Sequence, residues 1–122
     1  MLILKRMLIL EDDNCAAELL QQRMLHEWPG CAFIHAANKT DYLNAIVSDS
    51  FDIIVSDYAI PDFSGMQALA TARKECPESP FLFFSGAISD EVAVESLKGG
   101  AVDYIMKDRP AQIGRASWRE RV

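Results

Sequence analysis

The segment Arg-Met-Leu-Ile-Leu-Glu-Asp-Asp at positions 6–13 is a short apolar run that ends on three carboxylates. Three later segments have the same form: Ile53–Ser56 is followed by Asp57, residues 81–84 by Ser85, and residues 104–106 by Lys107. Strands of a parallel sheet all point the same way, so the residues at their carboxyl ends converge on one crevice. We therefore expect carboxylates, a hydroxyl and an ammonium to share one site.

Longer amphipathic segments separate these apolar runs. This alternation predicts an α/β fold in which helices cover both faces of a doubly wound parallel sheet. Several runs are apolar on successive residues, as expected for strands buried on both faces. The pattern predicts five strands and four or five helices. The predicted strands are Arg6–Leu10, Ala32–Ala36, Ile53–Ser56, 81–84 and Asp103–Met106.

The helices that can be bounded begin at polar caps and end before glycine or proline. Asp13 or Asn14 caps the first, which ends before Pro29, and Ser64 with Gln67 forms a capping box for the third, which ends near residue 76. The second and fourth are predicted over residues 39–49 and 89–100. The apolar residues expected to face the sheet are Ala17, Leu20, Met24 and Leu25 in the first helix and Leu43, Ile46 and Val47 in the second.

The overall composition and charge of the chain indicate its class of protein and the partners that it favours. Half of the 122 residues are apolar, which is enough for a single domain to bury a core without disulfides or structural metals. The formal net charge is −6 and no Lys- or Arg-rich run is present, so nucleic acid and anionic membranes are disfavoured as partners, whereas a cation or a basic protein surface is favoured. No run is long enough to span a membrane, and Lys5 and Arg6 interrupt the apolar start where a signal peptide would be continuous. We therefore expect a cytoplasmic protein.

The three cysteines, Cys15, Cys31 and Cys76, are widely spaced and lack a C-x-x-C pattern. A disulfide framework or a zinc site is therefore disfavoured. We expect the cysteines to be small buried residues in a reducing cytosol.

Residues 113–122, Ile-Gly-Arg-Ala-Ser-Trp-Arg-Glu-Arg-Val, allow two interpretations. They resemble the translation of a sequencing-library adaptor, in which case the domain covers residues 1–112 and its native last helix is truncated or replaced. Alternatively, they form a basic and irregular last helix with Ile113, Ala116 and Val122 facing inward, although Gly114 weakens a helix. Both interpretations stay open at the level of sequence.

The polar strand ends and their neighbours resemble the receiver domains of two-component response regulators over residues 6–109. The matching segments are Leu-Ile-Leu-Glu-Asp-Asp at 8–13, Ser-Asp-Tyr-Ala-Ile-Pro-Asp-Phe-Ser-Gly at 56–65, Phe-Phe-Ser-Gly at 83–86 and Asp-Tyr-Ile-Met-Lys at 103–107. Four matches in order, each ending a predicted strand, form a specific pattern. The resemblance implies a flavodoxin-like sheet with strand order 2-1-3-4-5. It also implies a role in phosphorelay signalling, in which a sensor histidine kinase or a phosphotransfer protein phosphorylates Asp57.

The chemistry of the residues favours a cation at the same place. If Glu11, Asp12 and Asp57 are brought together, each pair repels by roughly 4 kcal/mol at about 4 Å and an effective dielectric near 20, so the cluster requires a positive partner. Hard oxygen ligands favour Mg²⁺, which typically takes one or two carboxylates together with a phosphate oxygen. The Asp57 carboxylate can attack a phosphoryl group in line to form an acyl phosphate, while Mg²⁺ and Lys107 neutralise the equatorial oxygens.

The resemblance assigns individual roles around this cation. It implies that Asp12 and Asp57 bind Mg²⁺ directly, that Glu11 acts through water, and that the backbone carbonyl of Ala59 supplies another ligand. It implies no enzyme in the ordinary sense, because a receiver catalyses only its own phosphorylation and dephosphorylation.

A conformational switch is also implied by the resemblance. Ser85 would hydrogen-bond the phosphoryl oxygen, and this contact would be coupled to an inward turn of Tyr104. The surface that changes would be the fourth helix and the fifth strand, residues 89–106. An output domain or a homodimer would use the face formed by these elements and the last helix.

Two positions limit what the family pattern implies. Receivers usually have a proline in a cis peptide after the lysine, whereas this chain has Asp108. A cis bond without proline costs about 3 kcal/mol, so we expect the bond between Lys107 and Asp108 to be trans, or strained if cis. The side chain of Ala59 is only a methyl group, which neither guides nor blocks water, so the sequence does not set the lifetime of a phosphoryl group.

Three other functions agree less well with the residues. A pseudo-receiver that binds proteins without being phosphorylated would share the fold, but here every site residue is present. A phosphotransferase of the haloacid dehalogenase type needs an acid two residues after the nucleophile, where this chain has Ala59. A flavodoxin-type flavin-binding protein needs a hydroxyl-rich loop after the first strand, and the carboxylates at 11–13 would repel its phosphate. His26 and His35 are expected to be structural, because neither has the helix-face context of a phosphodonor.

Overall fold

The computed structural model describes residues 4–86 and 89–107, and within these ranges one parallel sheet organises the chain. Its strands are β1 (Arg6–Leu10), β2 (Ala32–Ala36), β3 (Ile53–Ser56), β6 (Phe81–Ser85) and β7 (Asp103–Met106). Two short strands, β4 (Ala59–Ile60) and β5 (Phe63–Ser64), form an antiparallel pair after β3. The helices are α1 (Asn14–Glu27), α2 (Lys39–Ser48), α3 (Gly65–Glu75) and α4 (Asp90–Lys98). The predictions for Asp108, a last helix and the segment 113–122 lie outside the described residues.

The strands of the large sheet lie in the order β2-β1-β3-β6-β7, and every neighbouring pair is parallel. When the five strands of this sheet are counted alone, this is the predicted order 2-1-3-4-5. The register aligns the carboxyl ends, because Leu10 lies opposite both Ala36 and Ser56, and Ser85 lies opposite Met106. The residues that follow these strands therefore leave the sheet along one edge.

Each face of the sheet is covered by helices, as the doubly wound prediction requires. Met7 and Ile9 of β1 pack with buried residues of α1, whereas Leu8 and Leu10 pack with buried residues of α2 and α3. Successive side chains of a strand point to opposite faces, so a continuous apolar run supplies both cores at once.

The predicted apolar stripes of α1 and α2 are each wrong at one residue. The Leu25 side chain is 40% exposed and that of Val47 is 69% exposed. Each follows directly after a residue that faces the core, Met24 and Ile46, and one residue along a helix is a turn of about 100°. Tyr42, four residues before Ile46, completes the buried stripe of α2 instead.

The cysteines differ in burial. Cys31 is buried and Cys76 is half-buried, whereas Cys15 is exposed, so the prediction of three buried cysteines is wrong at Cys15. Cys15 lies in the first turn of α1, where its amide donates to the capping side chain of Asp13 and its thiol faces outward.

The helix caps separate the acidic residues after β1 by role. The Asp13 carboxylate accepts hydrogen bonds from the amides of Cys15 and Ala16, so Asp13, rather than Asn14, is the N-cap of α1. A cap of this kind satisfies amides that have no partner within the helix. The predicted capping box of Ser64 and Gln67 is confirmed at the start of α3.

The short β4–β5 pair is the part of the fold that the sequence pattern does not predict. Its strands have only two residues each, too few for a periodic signal. The pair leads into Gly65, whose amide donates to the Tyr58 carbonyl at 2.9 Å. A Cβ at Gly65 would lie 2.7 Å from Cε1 of Phe83 and 2.7 Å from Cα of Tyr58, so glycine lets α3 begin directly against the loop that follows Asp57.

Among the described helices, none combines the length and the hydropathy needed to cross a lipid bilayer.

Candidate functional site

The site residues are held by backbone hydrogen bonds that continue the sheet beyond its strands. The Asp57 amide donates to the Leu10 carbonyl at 2.9 Å, and the Lys107 amide donates to the Ser85 carbonyl at 2.8 Å. The Glu11 amide likewise donates to a carbonyl of β2 at 3.0 Å. The predicted convergence of β1, β3, β6 and β7 on one edge is therefore observed.

An acidic cluster lies at this edge. Glu11, Asp12 and Asp57 each offer a carboxylate oxygen, and these oxygens all lie within 4.8 Å of one another. Glu11 is 3% exposed and Asp57 is 7% exposed, whereas Asp12 is exposed at the mouth of the site. Three hard oxygen donors, two of them buried, fit a small divalent cation such as Mg²⁺.

Lys107 places one ammonium between two of these carboxylates. Its Nζ lies 3.1 Å from Oδ2 of Asp57 and also forms an ion pair with Oε1 of Glu11. Burial by itself would lower the pKa of Lys107, but the Glu11 and Asp57 carboxylates outweigh it and the net pKa is raised. The lysine therefore stays charged and is the positive partner of the cluster among the described residues.

Glu11 has a proton affinity that is unusual for a carboxyl group. Burial raises the pKa of Glu11 to about 7, and the charge of Asp57 acts in the same direction. Lys107 opposes this shift, as does the amide of Asp13, which donates to Oε2 of Glu11 at 3.2 Å. A buried carboxyl disfavours its charged form, so a cation at this cluster competes with a proton near neutral pH.

The Asp57 carboxylate is bound on both oxygens. The Ser85 hydroxyl donates to Oδ1 at 3.0 Å, and the Ala59 amide donates to the same oxygen at 3.3 Å. Oδ2 faces Lys107. The predicted acceptor therefore lies at the centre of the predicted site, with a hydroxyl on one side and an ammonium on the other.

Two further predicted residues lie beside this centre. Tyr104 is half-buried and packs against the core on the α2 and α3 side of the sheet. Ala59 reaches Asp57 through its amide, while the ligand role of its carbonyl stays a prediction.

Sequence reasoning missed two side chains that contact the backbone of the site. Nε2 of His35 lies 2.7 Å from the Glu11 carbonyl oxygen, and the buried Ser56 hydroxyl donates to the Asp57 carbonyl at 2.7 Å. Both contacts depend on where a side chain lies in three dimensions. The available signal was position alone, because both residues lie in strands that flank β1. His26, by contrast, is exposed in the last turn of α1.

Comparison with known sequences agrees with the fold and with the site described above. The family model described as the response regulator receiver domain matches residues 7–116. The transcriptional regulatory protein PcoR of Escherichia coli is 30% identical over 104 residues, which are 85% of this chain and 45% of that protein. The response regulator protein FleR of Pseudomonas aeruginosa is 28% identical over 102 residues, which are 84% of this chain and 21% of that protein. The chain thus spans less than half the length of these curated relatives.

Solved structures share the fold. A CheY-like receiver domain protein from Methanospirillum hungatei JF-1 superposes with a TM-score of 0.80 and 32% identity, covering 90% of this chain and 87% of that one. A response regulator protein from Burkholderia pseudomallei gives a TM-score of 0.79 at 23% identity, covering 95% of this chain and 69% of that one. With its sheet order, its acidic cluster at the carboxyl edge and the family match over most of its length, this chain belongs to the receiver domain family of response regulators.

Proposed function

We propose that this receiver domain accepts a phosphoryl group on Asp57, with Mg²⁺, from a sensor histidine kinase or a phosphotransfer protein. The observation that carries the proposal is the setting of the Asp57 carboxylate, which is 7% exposed and contacts Ser85 on one oxygen and Lys107 on the other. A carboxylate in such a place is poised for attack, since positioning and charge supply most of the catalysis of phosphoryl transfer.

The transfer step uses the chain's own groups. A carboxylate oxygen of Asp57 attacks the phosphorus of a phosphohistidine, a new O–P bond forms, and the N–P bond breaks with its electron pair left on the departing imidazole nitrogen. Lys107 neutralises charge on the phosphoryl oxygens, and the Ser85 hydroxyl donates to one of them. The product is an acyl phosphate on Asp57.

The acidic cluster supports a requirement for Mg²⁺. Three carboxylates within 4.8 Å of one another exceed the single ammonium of Lys107 in charge. Asp12 and Asp57 would hold the ion directly, Glu11 through water, and the Ala59 carbonyl would add a ligand. When bound, Mg²⁺ supplies positive charge at the acceptor carboxylate and the phosphoryl oxygens.

Phosphorylation would then change a surface. The Ser85 hydroxyl, which donates to Oδ1 of Asp57 at 3.0 Å, would move to the phosphoryl oxygen and draw Tyr104 inward. A ligand that favours one of two conformations by a few kcal/mol shifts the population between them. Residues 89–106 form the surface that responds in this proposal.

The related proteins support this function for the receiver domain, and their own lengths show that they contain more than this domain. The related Burkholderia pseudomallei structure is described with a phosphorylated aspartic acid, a calcium ion and citrate. PcoR is named a transcriptional regulatory protein and is more than twice as long as the match. We propose that the responsive surface acts on an output domain or on a second receiver, and that hydrolysis of the acyl phosphate ends the signal.

Intact-mass measurement tests the acceptor directly. The chain is incubated with Mg²⁺ and acetyl phosphate, and we expect one added phosphoryl group in the parent and in Asp62→Asn, which removes an exposed carboxylate of the neighbouring loop. We expect no addition in Asp57→Asn or after chelation of the metal. A phosphoryl group that persists in Asp57→Asn overturns Asp57 as the acceptor. A parent that gains no phosphoryl group overturns the proposal as a whole and favours a pseudo-receiver.

A further inference from the structure

His35 connects β2 to the acidic cluster across 24 residues of sequence. Its Nε2 lies 2.7 Å from the carbonyl oxygen of Glu11, and the side chain is half-buried. A carbonyl oxygen only accepts hydrogen bonds, so Nε2 must carry the proton. The contact is therefore a hydrogen bond from the imidazole to the backbone of a site residue.

This hydrogen bond lies at the point where the pairing of β1 with β2 ends. Regular pairing between β1 and β2 ends with Leu10 opposite Ala36, and the Glu11 amide makes one further bond, to the Ala36 carbonyl. The Glu11 carbonyl belongs to the next peptide, the one that joins Glu11 to Asp12. His35 thus binds the first peptide group after the sheet ladder ends.

The peptide that follows, between Asp12 and Asp13, is held as well. Asp13 caps α1 with its side chain, and its amide donates to Oε2 of Glu11 at 3.2 Å. Between the end of β1 and the cap of α1, the Glu11–Asp12 peptide is the unit whose orientation sets the directions of two carboxylates. A rotation there would move the exposed Asp12 carboxylate relative to the buried pair.

We infer that His35 is a positioning residue that orients the Glu11–Asp12 peptide and thereby sets the spacing of these two carboxylates for a divalent cation. The inference rests on the proposed Mg²⁺ site. Groups that fix the orientation of metal ligands raise metal affinity, because less conformational freedom is lost on binding. His35 does this through the backbone and touches neither the ion nor the phosphoryl group.

Mg²⁺ titration by calorimetry of the full chain tests this role. His35→Phe keeps a ring and removes the donor, and His35→Gln keeps an N–H able to reach a carbonyl. We expect Mg²⁺ to bind about three- to tenfold more weakly to His35→Phe, as expected for one hydrogen bond, and within about twofold of the parent to His35→Gln. His26→Phe, which removes the exposed imidazole at the far end of α1, is the matched control and should bind Mg²⁺ as the parent does.

A spectroscopic measurement separates positioning from general stability. In the metal-free protein, the amide cross-peak of Asp12 should move in His35→Phe and stay in place in His26→Phe. If His35→Phe does not fold, His35→Asn replaces it, because its shorter amide does not reach the Glu11 carbonyl.

The outcomes are distinct for the inference and for the proposed function. Equal Mg²⁺ affinity in the parent and His35→Phe overturns the inference alone. Equal weakening in His35→Phe and His35→Gln also overturns it, because the shape of the ring rather than its N–H would then be responsible. A parent chain that binds no Mg²⁺ overturns the inference and the proposed metal site together.

Discussion

Nζ of Lys107 lies 3.1 Å from Oδ2 of Asp57, although 50 residues separate the two in the chain. The same ammonium pairs with Glu11, so one lysine from the end of β7 serves carboxylates from the ends of β1 and β3. A metal ion at the acidic cluster would be repelled by this positive charge. In the proposed function, Lys107 would therefore oppose binding of the cation and assist transfer of the phosphoryl group.

Lys107→Ala should change these two properties in opposite directions. Mg²⁺ affinity should rise several-fold, because an ammonium beside the cation site is lost. Phosphorylation by acetyl phosphate should slow by about 100-fold, because one charge-neutralising donor is lost from the transition state. Calorimetric titration and a time course of intact mass measure the two effects.

Lys98→Ala is the matched control for Lys107→Ala. Lys98 is an exposed residue at the end of α4, so neither Mg²⁺ affinity nor phosphorylation should change. Weaker binding of Mg²⁺ to Lys107→Ala would contradict the prediction and show that the lysine orders the carboxylates more than it repels the ion.

The pKa of Glu11 predicts how stability depends on pH. Burial raises the pKa of Glu11 to about 7 from its ordinary 4.5, so between these values the folded chain holds a proton that the unfolded chain releases. The raised pKa therefore contributes to the free energy of unfolding. This contribution is fully present below pH 4.5 and is lost as the pH rises through about 7. The urea midpoint of the metal-free chain should therefore fall between about pH 5 and about pH 8.

Glu11→Gln isolates this effect because its amide resembles the protonated carboxyl in shape. Its midpoint should match the parent at the acidic end and exceed it at the alkaline end. Saturating Mg²⁺ should reduce the fall in the parent, because the cation replaces the proton. A parent and a variant whose midpoints change in parallel with pH would show that Glu11 is not responsible.

Ser85→Ala should separate phosphorylation from switching. The variant keeps Asp57 and Lys107, so it should still gain a phosphoryl group, with about tenfold slower kinetics or less. Because the hydroxyl that would follow the phosphoryl oxygen is missing, the ring resonances of Tyr104 should not shift on phosphorylation. Ser85→Thr keeps a hydroxyl and should restore the shift. A full Tyr104 response in Ser85→Ala would mean that another group carries the signal.

Gly65→Ala should destabilise the fold at the loop that follows Asp57. The added Cβ would lie 2.7 Å from Cε1 of the fully buried Phe83 and 2.7 Å from the backbone Cα of Tyr58. Such overpacking costs about 1–3 kcal/mol of unfolding free energy, to be measured by urea titration. The matched control is Gly30→Ala, where no atom of the described residues lies within 4 Å of the new Cβ. An equal loss in both variants would point to glycine content rather than to this contact.

Local sequence was enough to predict the five strands of the large sheet and the identity of the polar residues at their carboxyl ends. The strands β1, β2, β3 and β7 begin and end at the predicted residues. Charged residues bound β1 and β3 on both sides, which makes the ends of these two strands plain in the sequence. The prediction for β6 stops one residue early, at residue 84, because a serine at the end of a run gives no signal for or against a strand. Helix ends were similarly predictable from their caps.

The direction in which a side chain faces was harder to predict from the sequence. Whether Val47 or Tyr42 covers the sheet depends on the rotation of α2, which packing against β2 and α3 decides. The β4–β5 pair leads into a close approach of Gly65 to Phe83, and these two residues belong to different segments. No pattern within either segment reports such contacts.

Strand formation and side-chain polarity are local properties of the chain, so the amino-acid sequence was sufficient to predict which polar residues lie at the strand ends and hence the chemical composition of the site. Which atoms come into contact there is a property of the folded chain, in which Lys107 bridges Glu11 and Asp57 and His35 binds the Glu11 carbonyl. Those contacts follow from strand order and register, which the packing of the whole sheet sets.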